Sequence, residues 1–377
     1  MGIYQQKTEE ANVKERDEMK KYIPRFATVS FILFAVSCII YFISVRSLEV
    51  ADFINSTVSV AIRFFLSLTT YILPFSFFEL LIILLPLILF LAVFLTVKRC
   101  RTAVQRVRAI ISILGVVSLI FTSYIYTLGV GYRTSALADK IGIEDKKNVT
   151  ADELFNTVNI VVDELNSLAE KMEISQGQTC MPYSFFEMSN RLIDAYDRMN
   201  ESYSLLANYP SRAKPVYFST VMSDLGITGI YSFFTGEANV NIEYPDYCVA
   251  YTAAHELAHQ RGICRENEAN FVAFLVCISS EDEYIRYSGY LNMYEYLASA
   301  LYRADPERYS LVRARLHETA IADIRASNAV YLEHKDSILG KINDRINDAY
   351  LKANGTEGVV SYGYVVRLAV GYYQNEQ

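Results

Sequence analysis

The chain has 377 residues and a formal net charge of −7, with 29 tyrosines, 21 phenylalanines and no tryptophan. The charge is unevenly spread: residues 1–130 hold 13 Lys/Arg against 8 Asp/Glu, and the remainder holds 22 against 34. An acidic C-terminal part excludes nucleic acid as a partner, because phosphate binding needs clustered cations, and the length suits a membrane anchor followed by one sizeable domain.

Residues 1–25 form a basic leader carrying Lys7, Lys14, Arg16, Lys20, Lys21 and Arg25. Residues 26–130 read as a membrane anchor. Three apolar runs, about 26–44, 76–97 and 109–129, are long enough to cross a bilayer as helices. A fourth, 53–73, carries Arg63 at its centre. An arginine at the middle of a bilayer is costly, so this segment reads as interfacial or re-entrant. The loop 98–108 carries Lys98, Arg99, Arg101, Arg106 and Arg108. Basic loops favour the cytoplasm, and three spans put both the leader and this loop there. The expectation is a multi-pass cell-membrane protein with a cytoplasmic N-terminus, the lipid bilayer as one partner, and residues 131–377 as an extracytoplasmic domain. The first apolar run starts late and lacks a small-residue cleavage site, which argues against a cleaved signal peptide.

The fold class expected is mainly α with a small β-sheet (α+β), three transmembrane helices preceding a mostly helical domain. Thr150-Ala-Asp-Glu153 is a capping-box pattern opening a helix to about Met172. Further helices are predicted over 184–203, 281–303, 306–334 and 335–353. Residues 214–241, rich in β-branched and aromatic side chains and punctuated by Gly226, Gly229 and Gly236, read as the strand region. Within it, 236–241 reads either as an exposed strand edge able to bind extended peptide or as an ordinary hairpin turn and strand. The six cysteines form no C-x-x-C pair and read as small buried hydrophobes, with one disulfide among the last four left open.

The chemistry concentrates in "AHELAHQRGICRENEANF", residues 254–271. His255 and His259 are four apart and share a helix face, so both imidazoles can reach one tetrahedral Zn²⁺. Glu256, beside the first histidine, is placed as general base and not as ligand. Pro245-Asp246 marks a helix start and Gly262 a stop, after which a second helix begins near Glu266. In that helix Glu266 shares a face with Asn270 and Glu268 does not. Glu266 is therefore the expected third ligand and Asn270 the residue bracing a ligating histidine, with Glu268 as the fallback ligand. Three protein ligands leave a fourth position for water. His317 and His334 sit singly on charged helices and read as solvated surface residues. Tyr231, Arg286, Tyr287, Tyr290 and Tyr362 are available as oxyanion donors, and nothing in the sequence chooses among them.

The stretches "PFSFFELL", "GITGIYSFFTGEANVN", "HELAHQRGICRENEANF", "IRYSGYL" and "EGVVSYGYVVRL" resemble an uncharacterised bacterial membrane family, domain of unknown function 3810. The motif region also resembles zincin peptidases of the glutamate-ligand type, whose Glu-x-x-x-Asp pair maps onto Glu266 and Asn270. Here the interval from His259 is shorter than in thermolysin-like enzymes, and Asn stands in place of Asp. The resemblance implies a zincin-like domain. The reading is a membrane-anchored zinc metallopeptidase acting on peptide or protein substrates. Its rivals are another zinc hydrolase, such as a cell-wall amidase, and a non-catalytic protein with a structural metal. Glu256 argues against the last, since a structural site has no use for a base.

Overall fold

The computed structural model describes residues 22–375; leader residues 1–21, with Lys7, Lys14, Arg16, Lys20 and Lys21, lie outside that range. Among the described residues, four helices are long and apolar enough to cross a membrane: α1 (Arg25–Ser44), α2 (Leu48–Tyr71), α3 (Phe77–Arg99) and α4 (Ala103–Arg133). α1 and α4 pack side by side and run the same way, Gly115 against Ala27 and Gly129 against Tyr41. Small buried residues (Ala27, Ser30, Ser37 and Ser44) let the two backbones approach. The three serine hydroxyls donate to carbonyls one turn back, at 2.9, 2.7 and 2.9 Å, so the interface holds no orphaned donor from them. α3 buries nothing and presents apolar side chains all round.

α2 behaves differently, touching the C-terminal domain along its whole length. The Ser135 amide donates to Asp52 (3.2 Å), Asn55 Nδ2 donates to the Gly262 carbonyl (3.2 Å), and Phe64 packs on Tyr209. Near its end Thr70 donates to the Thr235 carbonyl at 3.4 Å. Arg63 is fully buried and donates to the Asn55 side chain and carbonyl, both at 3.0 Å, and to the Thr127 carbonyl. Its charge faces protein dipoles and not hydrocarbon. The turn into α3 is clamped from the domain: Lys214 Nζ donates to the carbonyls of Thr70, Leu73 and Phe75, while Glu237 accepts the amides of Phe77 and Phe78. A cation on a helix C-terminus and an anion on a helix N-terminus each complement the exposed backbone dipoles.

Beyond the short α5 (Leu137–Ile141), the domain is built from α6 (Ala151–Ala169), α7 (Phe185–Tyr203), α8 (Ser219–Asp224), α9 (Asp246–Arg261), α10 (Glu266–Ile278), α11 (Glu283–Ala304), α12 (Pro306–Arg315), α13 (Glu318–His334), α14 (Ile338–Ala353) and α15 (Val365–Asn375). The Thr150–Glu153 capping box forms as the sequence indicates. α6 turns Leu154, Val158, Val161, Val162 and Leu165 onto α11, each such burial stabilising by roughly 1.5–3 kcal/mol. The sheet region resolves into β3 (Lys214–Val216), β4 (Gly229–Tyr231) and β5 (Ala238–Asn241), ordered β3-β5-β4 with β3–β5 parallel and β4–β5 antiparallel. A two-stranded hairpin, β1 (Ile174–Ser175) with β2 (Gln178–Thr179), was not foreseen. The expected helix 306–334 is two helices, because Leu316 is extended and His317 caps α13 by accepting the Thr319 amide. All six cysteines are free thiols.

Candidate metal centre

α9 lies at the centre of the domain, with every residue from Tyr247 to Arg261 buried. Its polar members are held internally: Arg261 donates to Asn208 and to the Tyr209 carbonyl, and Gln260 donates to the Gly236 carbonyl. The helix stops at Gly262, whose φ of +103° lies in the left-handed region that glycine tolerates. There the Gly262 amide donates to His259 and the Ile263 amide to Ala258. The chain reverses within three residues, so α10 opens at Glu266 facing back toward α9.

This turn brings His255, His259 and Glu266 together, with one donor atom from each inside 4.8 Å. Glu266 Oε2 lies 3.2 Å from His255 Nε2 and 3.5 Å from His259 Nε2. Tetrahedral zinc with bonds of about 2.0–2.1 Å spaces its donors by about 3.3 Å, which both Glu266–histidine separations match. His259 Nδ1 sits 2.7 Å from the Ile263 carbonyl oxygen. With Nδ1–H donating there, the Nε2 lone pair is directed at the shared point. Burial opposes charge on both partners, yet their attraction wins: the Glu266 carboxyl is held well below its usual range, and His259 is raised to about 9.

Glu268, the fallback ligand, is turned away from this point. It accepts the Leu137 amide (2.9 Å) and Arg265 Nη1 (2.8 Å), tying α10 to the start of α5. Asn270, expected to brace a ligating histidine, shares the Glu266 face and lines the same cavity; the atom beside His259 Nδ1 is the Ile263 carbonyl oxygen, and His255 Nδ1 is buried without a hydrogen-bond partner. The reason is reach, since the turn presents a backbone oxygen directly beneath His259. Asn270 Nδ2 is itself buried without a hydrogen-bond partner.

A cavity of about 680 Å³ runs along α9 between β4, α11, α14 and the end of α4. Glu256 opens into it beside the donor set, its Oε2 without a partner. Burial pushes the Glu256 carboxyl up, against the pull of the two histidines. Gly229 makes room for it: a β-carbon there would stand 2.5 Å from Glu256 Oε1 and 2.6 Å from Thr252 Cγ2. The strand edge at this cavity is β4. β5, read as exposed from sequence, is the buried central strand, because both other strands pair with it. Ile230 pairs with Asn239 between hydrogen bonds at 228–241 and 232–237, so the amides and carbonyls of Gly229 and Tyr231 point outward.

Of the five side chains considered as oxyanion donors, Tyr231 lines the cavity. Arg286 donates to the Ser280 carbonyl, Tyr287 donates to Asp323, and Tyr290 packs on Phe274; the Tyr362 side chain lies outside the described residues. Tyr132, Tyr251, Tyr296 and Tyr350, which the sequence did not single out, also line it. His334 is not a solvated surface residue: its Nδ1 sits 2.8 Å from Asp224 Oδ1, joining α13 to α8. Gly229 and the Ile263 carbonyl were missed as well. A glycine repeated in "GITGIY" signals close backbone approach, whereas a carbonyl leaves no mark in sequence.

The family model described as "Protein of unknown function (DUF3810)" matches residues 52–370, which takes in most of α2, all of α3 and α4, and the whole cavity. No curated protein and no solved structure matches the chain. The match covers well over half of the sequence, and the chain belongs to the DUF3810 family.

Proposed function

We propose that this protein is a membrane-anchored zinc metallopeptidase. The observation that carries the reading is the convergence of His255 Nε2, His259 Nε2 and Glu266 Oε2 beside Glu256, a buried carboxylate whose Oε2 has no hydrogen-bond partner. A zinc ion held by those three side chains would supply Lewis acidity and acidify water. Glu256 then takes the proton of the attacking water and delivers it to the leaving amine. Its raised affinity for a proton suits that exchange. The outward amide and carbonyl of Gly229 and the outward carbonyl of Tyr231, whose own amide is held by Glu256, offer an extended peptide a strand to pair with, directly over that carboxylate. That edge favours a peptide over a more compact amide.

The membrane arrangement proposed is three spans, α1, α3 and α4, with α2 in the interfacial plane. A crossing helix leaves the domain within a turn or two, whereas α2 keeps contact from Asp52 to Thr70. Three spans place Lys98–Arg108 in the cytoplasm and the cavity outside it. The experiment is zinc analysis of the purified full chain together with chelator-sensitive digestion of a peptide library. About one zinc per chain and chelator-sensitive cleavage support the reading; a metal-free protein, or cleavage indifferent to chelator, removes it.

A further inference from the structure

α14 is amphipathic the wrong way round for a helix in water. Its polar residues Asn343, Asp344 and Asn347 line the metal cavity. Leu351 in its last turn is buried, but the three isoleucines of its first ten residues point outward, with Ile338 75%, Ile342 51% and Ile346 62% exposed. These recur at every fourth position and form one stripe. Lys341, Arg345 and Lys352 make a second exposed stripe along one flank of the first.

Both ends of α14 are tied to the domain-side ends of the apolar helices. At its C-terminal end the Tyr124 hydroxyl donates to Asn354 Oδ1 at 2.7 Å. Arg133 bridges the Ala353 carbonyl and the hydroxyl of Tyr41, which lies in the last turn of α1. At the other end Asn343 donates to the carbonyl of Leu225, just after α8. The chain leading into α8 gives the amides of Tyr217 and Phe218 to Glu79, in the first turn of α3. α14 therefore bridges the end of α3 and the ends of α1 and α4. Around it the surface stays apolar: Tyr217 is 66%, Phe218 60% and Val360 62% exposed.

We infer that α14, with Tyr217, Phe218 and Val360, lies in the headgroup–acyl boundary of the leaflet on the domain side, so that the bilayer floors the metal cavity. Continuity with α1, α3 and α4, on whose crossing of the bilayer as proposed above this inference rests, identifies lipid as the cover. An outward apolar stripe flanked by lysine and arginine is the pattern of a helix lying in the membrane plane, its cations near lipid phosphates. The inference makes no use of hydrolysis at the metal centre.

The absence of tryptophan from the chain makes single indole probes clean reporters. Ile342→Trp, Ile346→Trp and Val360→Trp would each be made in the full chain and placed in phosphatidylcholine–phosphatidylglycerol nanodiscs. Leu87→Trp in α3 serves as the lipid-facing reference. Leu311→Trp on α12, 63% exposed, serves as the aqueous one. Lipid brominated at shallow acyl positions should quench all three probes at least about twofold, as it quenches Leu87→Trp. Iodide in the buffer should quench only Leu311→Trp. Iodide quenching of the three probes without bromolipid quenching would overturn the inference. Protection of all three from both quenchers would overturn it as well, since the cover would then be protein.

Discussion

Nδ1 of His259 and the carbonyl oxygen of Ile263 are 2.7 Å apart, closed by a turn whose pivot, Gly262, has φ +103°. The contact fixes the imidazole through backbone, so its integrity depends on Gly262. A β-carbon there would be strained by the left-handed conformation and would press into the Arg63 guanidinium, 2.7 Å from Cζ. Gly262→Ala should weaken zinc binding by about 10- to 100-fold, the usual effect of losing a ligand's outer hydrogen bond. Asn270→Ala, which breaks no hydrogen bond to either imidazole, should change it by less than about threefold by the same argument. Competition with a chromogenic chelator measures both.

The two glutamates of α10 should separate cleanly. Glu266→Ala removes one of the three proposed ligands and should lose stoichiometric zinc. Glu268→Ala should keep it, while costing stability, because the Leu137 amide and Arg265 lose their acceptor. Zinc content after gel filtration decides between them. Loss of metal from Glu268→Ala alone would sink the ligand assignment.

Gly229→Ala should slow hydrolysis while leaving zinc in place. The added carbon displaces Glu256, which stands 2.5 Å from that position, and a misplaced general base costs roughly 10²- to 10⁴-fold in kcat. Steady-state kinetics on zinc-matched samples would show it. Equal turnover would separate Glu256 from the chemistry.

Much of this centre was legible because it is local. The four-residue spacing, the glycine stop and the shared face of Glu266 and Asn270 follow from helix geometry within a dozen residues. What was not legible depends on residues far apart in sequence. Strand order made β4 the edge in place of β5, and the contact of α13 with α8 took His334 out of solvent. Arg63 marked α2 as unusual, but the partners that satisfy it, Asn55 and the Thr127 carbonyl, emerge only once α4 is packed beside it. α14 is visibly amphipathic in sequence. Which of its faces turns outward is set by its anchors at Leu225 and Tyr124.

Topology is open to direct measurement. A reporter active only in the periplasm should be active when fused after Gln377 and silent when fused after Arg101. The opposite pattern would place the cavity in the cytoplasm and refute the three-span arrangement.

Glu295 offers a pH signature, since burial raises its carboxyl to about 7 in the folded chain. A carboxyl whose folded pKa lies above its unfolded value favours folding below the unfolded value, near pH 4.5, and that stability is lost as pH rises through 7. Glu295→Gln should therefore leave stability nearly unchanged near pH 4.5 and add about 3 kcal/mol near pH 8. Thermal unfolding of both proteins in detergent at the two pH values tests the sign.

The central claim is that this centre hydrolyses peptides with Glu256 as base. The most direct measurement compares the full chain with Glu256→Gln, each holding the same zinc content, in digestion of a peptide library followed by mass spectrometry. The account predicts new peptide termini from the full chain and a loss of at least about 10²-fold in Glu256→Gln. Cleavage at equal rates by both proteins, or by neither with zinc bound, would contradict it.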